Sequence, residues 1–192
     1  YLPLSGSAFK KVYFDTMRNR AVSEFVKAED LVVSYSTTDL STSPRVSHVM
    51  TMTKNDLLKM QLNGSYREID LMQPGSITQN EVKEKMEELE GVNATYAENN
   101  ELFTILEMHV DLSLTEIEDH GFACPYIVTL CEDMNQVLAI RRNWEEGDPI
   151  YKKVDYFVQY KFLPGLGFYG FGLIHMIGGL TKSVTAILRQ LI

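Results

Sequence analysis

The stretch Pro164-Gly165-Leu166-Gly167-Phe168-Tyr169-Gly170 joins a strand-like run to a helix-like run, and it constrains the fold more than any other segment of the chain. Gly165, Gly167 and Gly170 reproduce G-x-G-x-x-G, the spacing of a turn that lays a dinucleotide pyrophosphate on a helix N-terminus. That turn also requires a βαβ unit and an acidic residue about 20 positions further on to hold the ribose. No Asp or Glu occurs between Gly170 and Ile192. Phe168 and Tyr169 would put two rings where the pyrophosphate approaches. A dinucleotide-binding oxidoreductase module using these three glycines is thus the lesser alternative. The better reading is a sharp backbone turn from a sheet into a long helix, for which glycine is suited.

That helix carries the clearest periodicity in the chain. Within 170–192, Leu173, Ile177, Leu180, Val184, Ile187 and Leu191 recur at alternating spacings of four and three. This is a heptad-like stripe suited to packing against other helices. His175, Lys182 and Arg189 recur every seven residues, and at about 100° per residue they fall on the opposite face. Three roles compete for the apolar face: cover for the chain's own core, a side-by-side contact between copies in an oligomer, or membrane insertion. Phe162–Thr181 is twenty residues without Asp, Glu, Lys or Arg, but it contains Pro164, six glycines and His175. Its first half also belongs to the strand and turn, so a membrane-active segment around Phe168–Leu180 is disfavoured. Gly178-Gly179 in mid-helix marks a close backbone approach or a bend.

Upstream, the periodicity is mostly that of strands. Phe9–Phe14 and Ala21–Val26 flank the polar turn Met17-Arg18-Asn19-Arg20 as a candidate hairpin. Leu31–Tyr35 and Val46–Met52 read as further strands, separated by the Ser/Thr-rich loop Thr37–Pro44. Thr53 opens a helix over Lys54–Leu62 that stops at Asn63-Gly64. Pro74-Gly75 marks a turn; Thr78-Gln79-Asn80-Glu81 is a capping box for a Glu-rich helix closed by Gly91. Glu101–Leu112, Tyr126–Cys131, Val137–Trp144 and Tyr151–Phe162 then form a meander through turns at 133–136 and 145–149. The expected fold class is α+β with a mainly antiparallel sheet and short helices, followed by a long helix.

Chemistry-bearing motifs are scarce. Gly178-Gly179-Leu180-Thr181-Lys182-Ser183 ends like a phosphate-binding loop, but Thr181 stands where that motif needs Gly. His48, His109, His120 and His175 lack metal-ligand spacing. Cys124 and Cys131 are too few for a disulfide framework and are not spaced C-x-x-C. Glu116, Glu118 and Asp119 before His120 read as a solvated acidic cluster, Cys124 lacks a basic activator, and Asn93-Ala94-Thr95 is a sequon without other signs of secretion. No catalytic residue, metal ligand or cofactor contact is expected. The net charge of −8 argues against a sequence-specific DNA reader, which carries a basic surface. It serves solubility, and it also suits a wall past which nucleic acid slides without sticking. The chain starts at Tyr1 rather than Met and stops at Ile192 inside the apolar pattern, so it reads as a piece of a longer polypeptide.

Several segments together carry a family likeness. They are Ala28-Glu29-Asp30-Leu31-Val32-Val33, Asp39-Leu40, Ser43-Pro44-Arg45-Val46-Ser47-His48, Phe171-Gly172-Leu173-Ile174-His175-Met176-Ile177-Gly178-Gly179-Leu180 and Leu188-Arg189-Gln190-Leu191-Ile192. In this order and spacing, from about Phe9 to Ile192, the chain resembles the portal protein, or head-to-tail connector, of tailed double-stranded-DNA bacteriophages, above all that of short-tailed phages. The resemblance implies a non-enzymatic subunit of a twelve-fold ring at one capsid vertex of the virion, assembled in the host cytoplasm. Through that ring DNA is packaged by a separate terminase and later ejected. It implies a wing-type α+β domain over 1–167 and the start of a stem helix over 168–192. Leu173, Ile177, Leu180, Val184, Ile187 and Leu191 would meet neighbouring subunits, and Lys182 and Arg189 would face the channel and touch DNA without sequence preference. Partners would be further copies, the capsid protein and, through parts outside this piece, terminase and tail adaptor. No cofactor and no membrane are implied.

Overall fold

Strand β1 (Ser7–Asp15) is the organising element of the N-terminal region. It pairs antiparallel with β2 (Arg20–Val26), from Phe9 opposite Val26 to Asp15 opposite Arg20. Asn19, at φ 48° beside Arg20, takes the left-handed conformation that Asn tolerates in tight hairpin turns. The computed structural model describes residues 1–15, 19–71, 102–114, 121–165 and 167–191, and for Leu191 the backbone alone. The turn at Pro74-Gly75, the box at Thr78–Glu81, the cap at Gly91, the sequon at Asn93 and the cluster around Glu116–His120 lie outside the described residues.

The remaining elements are α1 (Leu2–Ser5), β3 (Leu31–Val33), β4 (Arg45–Thr53), α2 (Lys54–Leu62), β5 (Leu102–Leu112), β6 (Cys124–Cys131), β7 (Gln136–Arg142), β8 (Phe157–Lys161) and α3 (Leu173–Leu191). They form a three-stranded sheet in the order β2-β1-β8 and a five-stranded sheet in the order β3-β4-β5-β6-β7. The chain is α+β, its sheets mostly antiparallel. It divides into two units, one of Tyr1–His48, His109–Pro125 and Asn143–Ile192, the other of Val49–Met108 and Tyr126–Arg142.

In the first unit, Phe9, Val26, Leu31, Leu40, Val46, Phe157 and Phe168 make the core. Phe9 stacks on Phe168 with ring centroids 5.7 Å apart. Lys11 points to the same side, and its ammonium lies 5.3 Å from the Tyr13 ring centroid and 6.0 Å from that of Phe157. The long apolar stem is buried while the charge rests on aromatic faces. A second lysine pins the Ser/Thr-rich loop. Lys153 Nζ donates to the carbonyls of Leu40 and Ser41 at 3.3 Å and of Ser43 at 3.5 Å, and sits 3.6 Å from Asp155.

In the second unit, Leu57, Leu71, Phe103, Ile105, Cys131 and Leu138 make the core. Thr53 caps α2 as expected: Thr53 Oγ1 accepts the Asp56 N–H and donates to the Asp56 carboxylate. The helix closes at Asn63, with Gly64 at φ +72°. Behind it, the Arg67 N–H donates to the Leu138 carbonyl at 2.7 Å and Arg141 to that of Ser65 at 3.0 Å. These bonds hold the segment after α2 against β7.

Several boundaries differ from the sequence reading: β3 ends at Val33 rather than Tyr35 and β7 at Arg142 rather than Trp144, and two differences are larger. The meander does not run on into Tyr151–Phe162; the strand there is Phe157–Lys161, and it joins β1, with Ser7 opposite Lys161 and Lys11 opposite Phe157. Asp148 is the cause. Its carboxylate accepts the N–H groups of Ile150 and Lys152, and Tyr151 between them sits at φ 53°, so the chain leaves the sheet instead of folding back on β7. The long helix begins at Leu173 rather than Gly170, because Phe171 is still bridged to Leu163.

The segment preceding α3 is fastened by glycines. Gly6, at φ +85°, lies backbone to backbone against Gly170 and Gly172, and a Cβ at Gly172 would collide with the Leu4 carbonyl oxygen. A Cβ at Gly170 would stand 2.6 Å from the Gly6 oxygen and 2.9 Å from that of Leu163. Neither neighbour is a side chain that can swing away. Gly170→Ala is therefore expected to cost about 2–3 kcal/mol in urea unfolding. Gly178→Ala, with nothing within 4 Å of the added carbon, is expected to stabilise α3 by up to about 1 kcal/mol.

Candidate functional site

Helix α3 is rooted by hydrogen bonds that use the amides of the glycine-rich segment. The Gly170 N–H donates to Ser7 Oγ at 2.8 Å, the Phe171 N–H to the Leu163 carbonyl at 2.8 Å, and the Gly172 N–H to His175 Nδ1 at 3.1 Å. His175 thus caps the helix start. Gln159 Nε2 donates to the Phe168 carbonyl at 2.7 Å. A pyrophosphate bound here would need those amides free, and the segment follows a strand of an antiparallel sheet rather than opening a βαβ unit. The geometry disfavours a dinucleotide at Gly165, Gly167 and Gly170.

From this root α3 extends for 19 residues. Every described side chain from Leu173 to Gln190 is exposed, so of the three competing roles, cover for the chain's own core is not found among the described residues. Exposure runs from 38% at Leu173 to 69% at Leu180, with Ile177, Val184 and Ile187 between. Lys182 and Arg189 are exposed on the other face. With Leu4, Ile174, Thr181 and Thr185 they line an open groove of about 800 Å³. Thr181, Ser183 and Thr185 each donate a hydroxyl hydrogen bond to the carbonyl four residues back. Such back-bonding makes a helix prone to bend. It also places the phosphate-loop look-alike at Gly178–Ser183 inside a continuous helix, whose amides serve the helix.

The other candidate chemical groups are structural. His48 and His109 are buried and pack edge-on against Phe157, with ring centroids 5.8 and 5.1 Å away. Burial raises the pKa of both the Cys124 and the Cys131 thiol, the opposite of what a nucleophile requires. Among the described residues, no three His, Cys, Asp or Glu side chains converge as a metal site.

Sequence reasoning missed two features. The glycine contact needs Gly6, which is remote from Gly170 in the chain and carries no motif. The second is the outer face of the three-stranded sheet, where Val12, Phe14, Phe25, Val158 and Tyr160 are exposed. A signal for it exists in β1, which carries Phe9 and Tyr13 at one parity and Val12 and Phe14 at the other; a strand with one solvated face would show a cleaner alternation.

Among the described residues, the carboxylates of Asp39 and Asp148 have lowered pKa values. Ser41 N–H bonding does this at Asp39, and the N–H groups of Ile150 and Lys152 do it at Asp148. The stabilisation each gives its loop is complete above the ordinary value of 3.8 and is lost as pH falls through the lower folded-state value. Amide hydrogen exchange at Ile150 and Lys152 is expected to keep its protection down to about pH 4 and to lose it below. Asp148→Asn should weaken that protection at neutral pH.

Among the described residues no helix is long and apolar enough to cross a membrane. Comparison with the curated proteins finds no match. The family model of the phage SU10 portal protein matches residues 10–192, from within β1 through the whole of α3. An exposed helix anchored on an antiparallel sheet falls within that match, and the chain belongs to the phage SU10 portal protein family.

Proposed function

We propose that this chain is part of a structural ring subunit at the unique capsid vertex, whose channel carries double-stranded DNA during packaging and ejection and whose outer side connects head to tail. Family membership gives the phage portal role and an oligomeric ring; the channel, the twelve-fold count and the partners belong to this proposal. Residues 1–167 serve as a wing-type domain, and 168–192 begin the stem. Terminase and tail adaptor bind elsewhere on the subunit, and the capsid protein surrounds it.

The observation that carries the reading is the exposed apolar seam of α3. Leu173, Ile177, Leu180, Val184 and Ile187 share one face and are all exposed in the single chain. Leu191 continues the repeat by sequence. A heptad seam of this kind is stabilised by burial against a parallel neighbour, and a ring supplies one to every subunit. On the far face, Lys182 and Arg189 are the only formal charges of α3 apart from any on His175. So sparse a basic stripe touches passing phosphates without gripping them, since each neutralised phosphate adds only about 0.9 to the salt slope of binding.

End-on electron-microscopy averages of the full-length protein are expected to show rings with an open channel wide enough for a duplex. Compact monomers under assembly conditions would remove the reading. Ile177→Asp together with Leu180→Asp should cut the ring fraction at least tenfold. Lys182→Ala with Arg189→Ala should leave rings intact but lower DNA retention in filled heads. Unchanged packaging, ejection and retention would take DNA contact away from these two residues.

A further inference from the structure

The three-stranded sheet is apolar on both faces, and only one face is accounted for. Phe9, Val26 and Phe157 lie on the core side. The register places Lys10 opposite Phe25 and Val158, Val12 opposite Ser23, and Phe14 opposite Ala21, all on the other side. There Phe14 is 58% exposed and Phe25 47%, and Val12, Val158, Tyr160 and Phe162 stand out alongside them. Tyr1 extends the patch, its ring edge-on to Phe25 at 5.3 Å. Together these side chains present roughly 600 Å² of mostly apolar surface, at the upper limit of what monomers usually leave open and near the ~800 Å² per partner of a stable interface.

We infer that this outer sheet face, made by β2, β1 and β8, is a second subunit–subunit interface, occupied by the next copy of the same chain in the ring. The inference rests on the ring reading and goes beyond it, because the residues are in the sheet region and separate from α3. A ring contact is heterologous, so each subunit presents two different surfaces rather than one self-complementary patch. The α3 seam is one exposed apolar surface, and the sheet face is another of sufficient area. Its composition fits the centre of a protein interface, where aromatics are enriched and charge is depleted. The single lysine on it, Lys10, lies on the central strand between Phe25 and Val158; its long apolar stem packs with them while its ammonium reaches toward a copy carrying 26 acidic against 18 basic side chains.

The test uses full-length protein carrying Phe14→Cys, and separately Phe25→Cys, with thiol-maleimide labelling rates measured on unassembled subunits, on purified rings and on complete heads. The native cysteines described here are buried, so the introduced thiol dominates the fast signal. The expected result is rapid labelling of the subunit and at least tenfold slower labelling in the purified ring. Equal rates in subunit and ring overturn the inference while leaving the ring intact. Slow labelling already in the lone subunit also overturns it, since another part of the same chain then covers the face. Protection seen only in complete heads overturns it in favour of the capsid protein. A wild-type protein that forms no rings sinks the ring reading itself, and this inference with it. As a second measure, Phe14→Glu with Phe25→Glu should lower the ring fraction at least tenfold, while Phe14→Leu with Phe25→Leu should retain it; both pairs should keep the circular-dichroism spectrum of the folded subunit. Normal rings from the glutamate pair would count against the inference.

Discussion

Everything distinctive about this molecule depends on a contact that only hydrogen atoms can fill. Gly6, Gly170 and Gly172 bring the N-terminal turn and the entry to α3 to backbone contact, and no side chain fits between them. The contact gains strength from its surroundings: Ser7, buried, receives the Gly170 N–H, and the Phe162 N–H reaches the Gly6 carbonyl. Close approach excludes water, and buried amides without partners would be costly, so each of these bonds has to be made. These bonds and the glycine contact tie the start of α3 to β1 and to the N-terminal turn, while the described side chains of the helix from Leu173 onward are exposed.

Charge is handled differently in the body of the first unit and on α3. In the first unit, two lysines are placed where their surroundings, rather than bulk water, answer the ammonium group. Lys11 lies over aromatic rings, and Lys153 lies among three carbonyls with Asp155 beside it. On α3 the arrangement is reversed: the apolar groups are outside and no acid is present. An exposed apolar surface of that kind marks a site of interaction.

Much of this was legible in the order of residues. The β1–β2 hairpin, the Thr53 cap, the stop at Asn63-Gly64, and strands β4 to β7 follow from alternation and from turn and cap chemistry, all of which act over a few residues. The α3 stripe was legible for the same reason, as was the poor fit of the glycine-rich segment to a dinucleotide site. What escaped was long-range. The pairing of β8 with β1 rather than β7 is decided by Asp148 and the left-handed Tyr151, and nothing local in Phe157–Lys161 reports it. The turn reading of Gly165, Gly167 and Gly170 does not reveal that Gly170, with Gly172, is needed for close approach to Gly6, whose place in the fold depends on that same distant pairing. The exposed sheet face is hard to read because β1 is apolar at both parities, so alternation alone does not say which side faces the core.

The discontinuity of the first unit has a consequence for synthesis on the ribosome. Strand β1 is complete at Asp15, but its second partner is Phe157–Lys161. At about 5–20 residues per second, the intervening chain takes roughly seven to thirty seconds to emerge. Throughout that interval the nascent hairpin exposes a bare strand edge and two greasy faces, the profile of a segment that templates aggregation. Lys10 and Lys11 occupy adjacent positions on that strand and therefore project from opposite faces. Before they serve any purpose in the finished fold, this pair of positive charges guards both sides of the newborn hairpin.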